Sequence, residues 1–161
     1  MSSTLHLSRS SLYDTFGDKR TLFLEALRLY SERVVARTAQ TLQEASSPTL
    51  GIQALFDEVA AGVGSDAGAM GCFMVNSVAE LVPYDSDVTA IATAYSSAFQ
   101  HLLADAIVQA SAMRMEPGER SAEQLAAYLF SALQGMRIMI KSGASREQIE
   151  AVSAITLQSL R

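Results

Sequence analysis

From Asp18 onward the apolar residues recur at intervals of three and four rather than two, which restricts most of the chain to helix. Phe23, Leu27, Tyr30 and Val34 stripe a helix that opens near Asp18 and runs to about Glu44. Ile52, Leu55, Phe56, Val59 and Val63 stripe the next. A short segment from Cys72 to Leu81 is stopped by Pro83, which can neither donate a backbone hydrogen bond nor continue a helix. Val88, Ile91, Tyr95, Phe99, Leu102 and Ala106 then mark a long helix, with Asp85 and Ser86 suited to cap its start.

The punctuation between these stripes is short: Ser46-Ser47-Pro48, a linker from Gly62 to Gly71, Glu116-Pro117-Gly118 and Ser142-Gly143. After the third, Ser121 and Glu123 open a helix in which Leu125, Tyr128, Leu129, Phe130, Leu133, Met136 and Ile140 cover much of the circumference. Gly143 is placed to end it. Ser145 caps a last helix whose face is Ile149, Val152, either Ile155 or Thr156, and Leu160. The fold class is all-α, with antiparallel neighbours joined by short loops.

At 161 residues and 49% hydrophobic content, the chain can bury a sizeable core. Polar residues interrupt every apolar run before it reaches bilayer length, so no membrane span is expected. The lone cysteine, Cys72, excludes an internal disulfide and suits a reducing cytoplasm. The net charge is −5, yet positions 1–37 hold six Lys/Arg against four Asp/Glu, and the remainder six against thirteen. A basic start on an acidic body permits a localised nucleic-acid footprint.

The stretch Ser8-Arg9-Ser10-Ser11-Leu12-Tyr13-Asp14-Thr15-Phe16-Gly17-Asp18-Lys19-Arg20-Thr21-Leu22-Phe23 reads as a short helix, a turn at Gly17 and a second helix opened by Asp18. Leu12 and Phe16 share one face. Arg9, Ser11, Tyr13 and Thr15 project elsewhere, with Lys19 just past the turn: hydroxyls, a phenol and cations suited to phosphates and base edges. In register, Ser8, Leu12, Tyr13, Phe16, Lys19 and Leu22 closely resemble the recognition helix and following helix of the TetR-like transcription regulators. The resemblance extends to Gly71-Cys72-Phe73-Met74-Val75-Asn76 and to the order of helices, and so covers nearly the whole chain.

That resemblance implies a homodimeric regulator, by default a repressor, that binds palindromic operator DNA and is released by a small hydrophobic effector. Tyr13 and Lys19 would contact phosphates, while Arg9, Ser11 and Thr15 would face the major groove or its rim. Positions 1–20 would form the DNA-binding segment, and positions 21–161 the ligand-binding and dimerisation domain. In the family a first helix and a positioning helix precede this point, whereas here only Met1 to Leu7 precede Ser8, too few for two helices. The expectation is a partial helix-turn-helix, the recognition helix only, and poor operator binding by the chain as it stands.

The effector pocket is expected among Phe56, Val59, Met70, Phe73, Tyr95, Phe99, Tyr128 and Met136, supported by Met74 and Met139. Asn76, His101 and Gln134 could orient a ligand. Equally, aromatic and methionine stripes at helical spacing form ordinary core. Dimerisation is expected through the last two helices, about 121–142 and 145–160, where Ala127, Ser131 and Gly135 permit close approach. The competing arrangement makes the first of these simply central in a monomer. Cys72 could sense oxidants, or be a buried, inert thiol.

No catalytic constellation is visible. His101 and Asp105 lie four apart but have no third metal ligand, and Asp85-Ser86-Asp87 lacks the rest of a calcium loop. No cofactor or metal is therefore expected. The alternative to a DNA-binding regulator is a dimeric small-molecule-binding module that acts without contacting DNA.

Overall fold

A computed structural model describes residues 17–114 and 120–160. Among them are seven helices and no strand: α1 (Lys19–Glu44), α2 (Pro48–Ala60), α3 (Asp66–Met70), α4 (Phe73–Leu81), α5 (Ser86–Arg114), α6 (Ala122–Lys141) and α7 (Arg146–Gln158). The all-α expectation holds. No described helix is long and apolar enough to cross a membrane.

The helix starts follow from short polar side chains that satisfy the first free backbone N–H groups. Asp18 accepts from the Thr21 N–H at 2.8 Å. Ser47 accepts from Leu50, with Pro48 in the first turn where its missing N–H costs nothing. Asp85 takes the N–H groups of Asp87 and Val88 at 3.0 and 3.2 Å. Ser121 and Ser145 each form a reciprocal box with a glutamine three residues on, Gln124 and Gln148. Gly143 stops α6 by adopting φ +88°, a conformation that costs a residue with a side chain dearly.

α5 is the central post. α1, α2, α4 and α6 all pack on it, and α7 closes the far side against α6 and α2. The fully buried side chains include Leu27, Ile52, Phe56, Val88, Leu103, Leu129, Leu133, Met136 and Ile149.

Three details refine or depart from the stripes read in sequence. On α5 it is Leu103 that is buried, while Leu102 is only partly so: from Phe99 a step of four keeps the inward heading. On α7 Thr156 is inward and Ile155 is 65% exposed. The Gly62–Gly71 linker contains the short helix α3, capped by Ser65. α3 is pressed so closely to the preceding turn that a Cβ on Gly68 would collide with the Gly62 carbonyl.

α6 is one-sided rather than apolar all round. Ala126, Leu129, Leu133, Met136 and Ile140 point into the core, while Ala127, Tyr128, Ser131 and Ile138 are exposed. The boundary expected after position 20 falls in the first turn of α1, which continues unbroken across it.

Candidate ligand-binding site

Two cavities flank the α5–α6 contact. The smaller, about 450 Å³, is walled by Tyr30, Val34 and Thr38 of α1, Leu55 and Val59 of α2, and Phe99 of α5. Leu133, Arg137 and Ile140 of α6 form the opposite side, and Met70, Gly71 and Cys72 close one end. The larger, about 820 Å³, is a groove between α4, α5 and α6, lined by Met74, Val78, Tyr95, Ala104, Phe130 and Ile138 among others. Both volumes lie in the range of small-molecule sites.

The expected pocket residues divide between these spaces and the solid core. Val59, Met70 and Phe99 line the smaller cavity. Tyr95, Met74, His101 and Gln134 line the larger. Six expected residues lie outside both cavities. Phe56 and Met136 have no exposed surface and line neither cavity; they are core, filled on all sides. Phe73 packs edge-on against Phe23 and Tyr30, with ring centres 5.6 Å away in each case. Asn76 donates to the Met70 carbonyl at 3.1 Å and accepts from Lys141 Nζ at 2.7 Å, a strut from the end of α3 to the end of α6. Tyr128 is 46% exposed on the outer face of α6. Met139 is part-buried against the core rather than in either cavity.

The residues that give the smaller cavity its polarity were not anticipated. Arg37 Nε pairs with Glu58 Oε2 at 3.3 Å near the surface, both side chains substantially exposed. Tyr30 Oη and Cys72 Sγ are 3.2 Å apart. Burial, then the contact with Cys72, pushes the Tyr30 phenol well above the ordinary tyrosine value, against the opposing pull of the Arg137 charge. Burial also raises the Tyr95 phenol, and Arg137 again opposes it.

One cation therefore acts on two phenols from different helices. Gln134 lies close enough to Tyr95 to offset part of its shift. Even so, the Tyr95 hydroxyl and both polar atoms of Gln134 are buried without a hydrogen-bond partner of acceptable geometry, as is Arg137 Nε. The clue was Arg137 itself, a single charge in the apolar run Met136-Arg137-Ile138-Met139-Ile140.

Arg9, Ser11, Tyr13 and Thr15 lie outside the described residues. Lys19 is exposed on the first turn of α1. Beside it, Arg20 reaches Asp85 Oδ1 at 3.1 Å and Asp87 Oδ2 at 2.7 Å, tying the start of α1 to the start of α5.

No protein-family model matches the chain. It is 28% identical over 163 residues to the HTH-type transcriptional regulator YezE of Bacillus subtilis (strain 168), covering 98% of this chain and 82% of that one. It is also 28% identical over 149 residues to the HTH-type transcriptional repressor ComR of Escherichia coli (strain K12), covering 92% and 71%. Among solved structures it superposes on the TetR family regulator CifR, a cysteine mutant complexed with 26-bp double-strand operator DNA, at TM-score 0.78. That match has 26% identity and covers 94% of this chain and 80% of CifR. In sequence and fold the chain resembles the TetR family regulators.

A second CifR cysteine mutant with operator DNA matches equally well, at TM-score 0.78 and 25% identity. The relatives and structural neighbours are transcriptional regulators. Cys72 has a phenol beside it rather than a base, and His101 is exposed, its Nδ1 3.4 Å from the Ser97 hydroxyl.

Proposed function

We propose that this chain is a homodimeric transcriptional repressor that binds a palindromic operator and releases it when a small, largely apolar effector enters the helical domain. The observation that carries this reading is the 450 Å³ cavity against α1, the helix that opens at Lys19 just after the positions assigned here to DNA. In this scheme positions 1–20 contact DNA. Arg9, Ser11 and Thr15 face base edges, and Tyr13 and Lys19 hold phosphates. Positions 21–161 bind effector and partner.

Tyr30, Val34 and Thr38 carry the cavity wall onto α1, and Arg20 pins its first turn to α5. An effector that prefers one placement of α1 over another shifts the spacing of the two recognition helices, and with it operator affinity. The dimer face is the outer side of α6 and α7. Tyr128, Ile138 and Ile155 are exposed there beside the small residues Ala127, Ser131, Ala151 and Ala154. Relatives support the scheme in two respects: ComR is a repressor, and the CifR structure is a complex with operator DNA.

The deciding experiment is a binding titration of the natural gene product on DNA flanking its own coding sequence, at several salt concentrations. Tight binding that weakens steeply with salt is expected, with Lys19→Ala lowering the salt slope by about one. Absence of retention on any such fragment at low salt would end the operator reading. The module that acts without DNA would then remain.

A further inference from the structure

The smaller cavity contains one charge without a counter-charge. Arg37 is matched by Glu58 near the surface, but among the described residues Arg137 has no carboxylate within ion-pair distance, and its Nε is buried without a hydrogen-bond partner. A part-buried guanidinium is costly to leave uncompensated, because the interior returns little of the hydration it gives up. Toward the larger groove lie further groups with unused hydrogen-bonding capacity. The Tyr95 hydroxyl and the Gln134 carboxamide have no partners, and Arg137 acts electrostatically on both Tyr30 and Tyr95. Gln134 and Arg137 are three residues apart on α6, so they are neighbours one turn along the same side of the helix. The rest of the wall is apolar, with Val34, Leu55, Val59, Leu133 and Ile140.

We propose that this cavity selects an amphipathic organic anion, a carboxylate on an apolar body, with Arg137 holding the carboxylate and the aliphatic wall holding the body. This rests on the ligand-responsive reading above and narrows it. A guanidinium offers a planar fork of N–H donors that matches a carboxylate, and the pairing gains strength where water is scarce. The Arg37–Glu58 pair leaves the remaining charge of the cavity balanced, so a single negative charge on the ligand brings the whole site to neutrality. A neutral or cationic head group of the same size leaves Arg137 uncompensated.

The test uses three probes with one eight-carbon tail, octanoate, octan-1-ol and octylamine, in calorimetric titrations of the full chain. The neutral fluorophore N-phenyl-1-naphthylamine serves as an independent readout of apolar binding. Octanoate is expected to bind roughly tenfold or more tightly than octanol, the factor supplied by one charge-assisted hydrogen bond. Octylamine is expected to bind most weakly. Arg137→Met should abolish the preference for octanoate while fluorophore binding persists, and Arg137→Lys should restore part of it; circular dichroism verifies that both variants are folded. Octanol binding as well as octanoate to the unmodified chain, or an undiminished preference in Arg137→Met, overturns the proposal. If the fluorophore binds in those cases, a neutral-effector site survives. If neither the fluorophore nor any eight-carbon probe binds, the ligand-responsive reading falls as well.

Discussion

Tyr30 belongs at once to the aromatic edge formed with Phe73, to the contact with Cys72 and to the wall of the smaller cavity. Because its phenol is held protonated by burial first and by Cys72 second, its ionisation is coupled to unfolding. Its folded-state value lies above the ordinary 10.0, so its stabilising contribution is complete below that pH and declines as pH rises past it. Tyr95 acts in the same direction. Absorbance at 295 nm should therefore show a late fraction of tyrosine ionisation coincident with alkaline unfolding. Tyr30→Phe and Tyr95→Phe should each remove part of that fraction, and loss of neither would contradict the assignment. At this scale the sequence was legible where periodicity decides and opaque where neighbours do. Spacing identified Phe99 and Ile149 as inward, but a choice between adjacent positions, Leu102 or Leu103, Ile155 or Thr156, turns on a rotation that only packing sets. Phe56 and Met136 had the chemistry of pocket residues, and their complete enclosure depends on helices far away in the chain.

At the level of elements, the caps were the most readable feature, because a cap is a local hydrogen bond between residues three apart. Asp18, Asp85, Ser121 and Ser145 all sit at the helix starts their side chains suggested. Ser145→Ala removes the acceptor for the Gln148 N–H and breaks the box, so it should cost about 1 kcal/mol and lower the melting temperature without changing ligand affinity. α3 was not readable: five residues amount to little more than one turn, too short to establish a period, and two glycines bracket it. Its placement nonetheless shapes the cavity, since Gly62 and Gly68 both line it. A methyl group on Gly68 meets the Gly62 carbonyl, and Ile140 Cγ2 at 2.9 Å. Gly68→Ala should therefore displace α3, reduce stability and alter fluorophore binding together, to be followed by thermal melts and titration. A variant with unchanged melting and binding would mean that the turn before α3 yields easily.

For the whole molecule, the question is what covers the outer face of α6. A glycine inside a helix costs about 0.5–1 kcal/mol relative to alanine, and Gly135 sits well inside one. No described residue of its own chain requires the small residue there, since an added Cβ would meet none of their atoms within 4 Å. If that face were permanently solvated, Gly135→Ala should simply stabilise the protein by the propensity difference. If a second copy packs there, the glycine admits its backbone, and a larger residue separates the two. Ile138 sharpens the comparison, because it is 52% exposed and also borders the larger groove, so a partner seated on α6 would close part of that groove as well. The expected result is a dimer at micromolar concentration by sedimentation, with a melting temperature that rises with protein concentration. Gly135→Leu and Ile138→Asp should give folded monomers of unchanged helicity, with operator binding lost because two half-sites are no longer read together. A wild-type monomer at those concentrations, or a Gly135→Leu dimer as tight as the parent, would move the interface elsewhere and detach the larger groove from it.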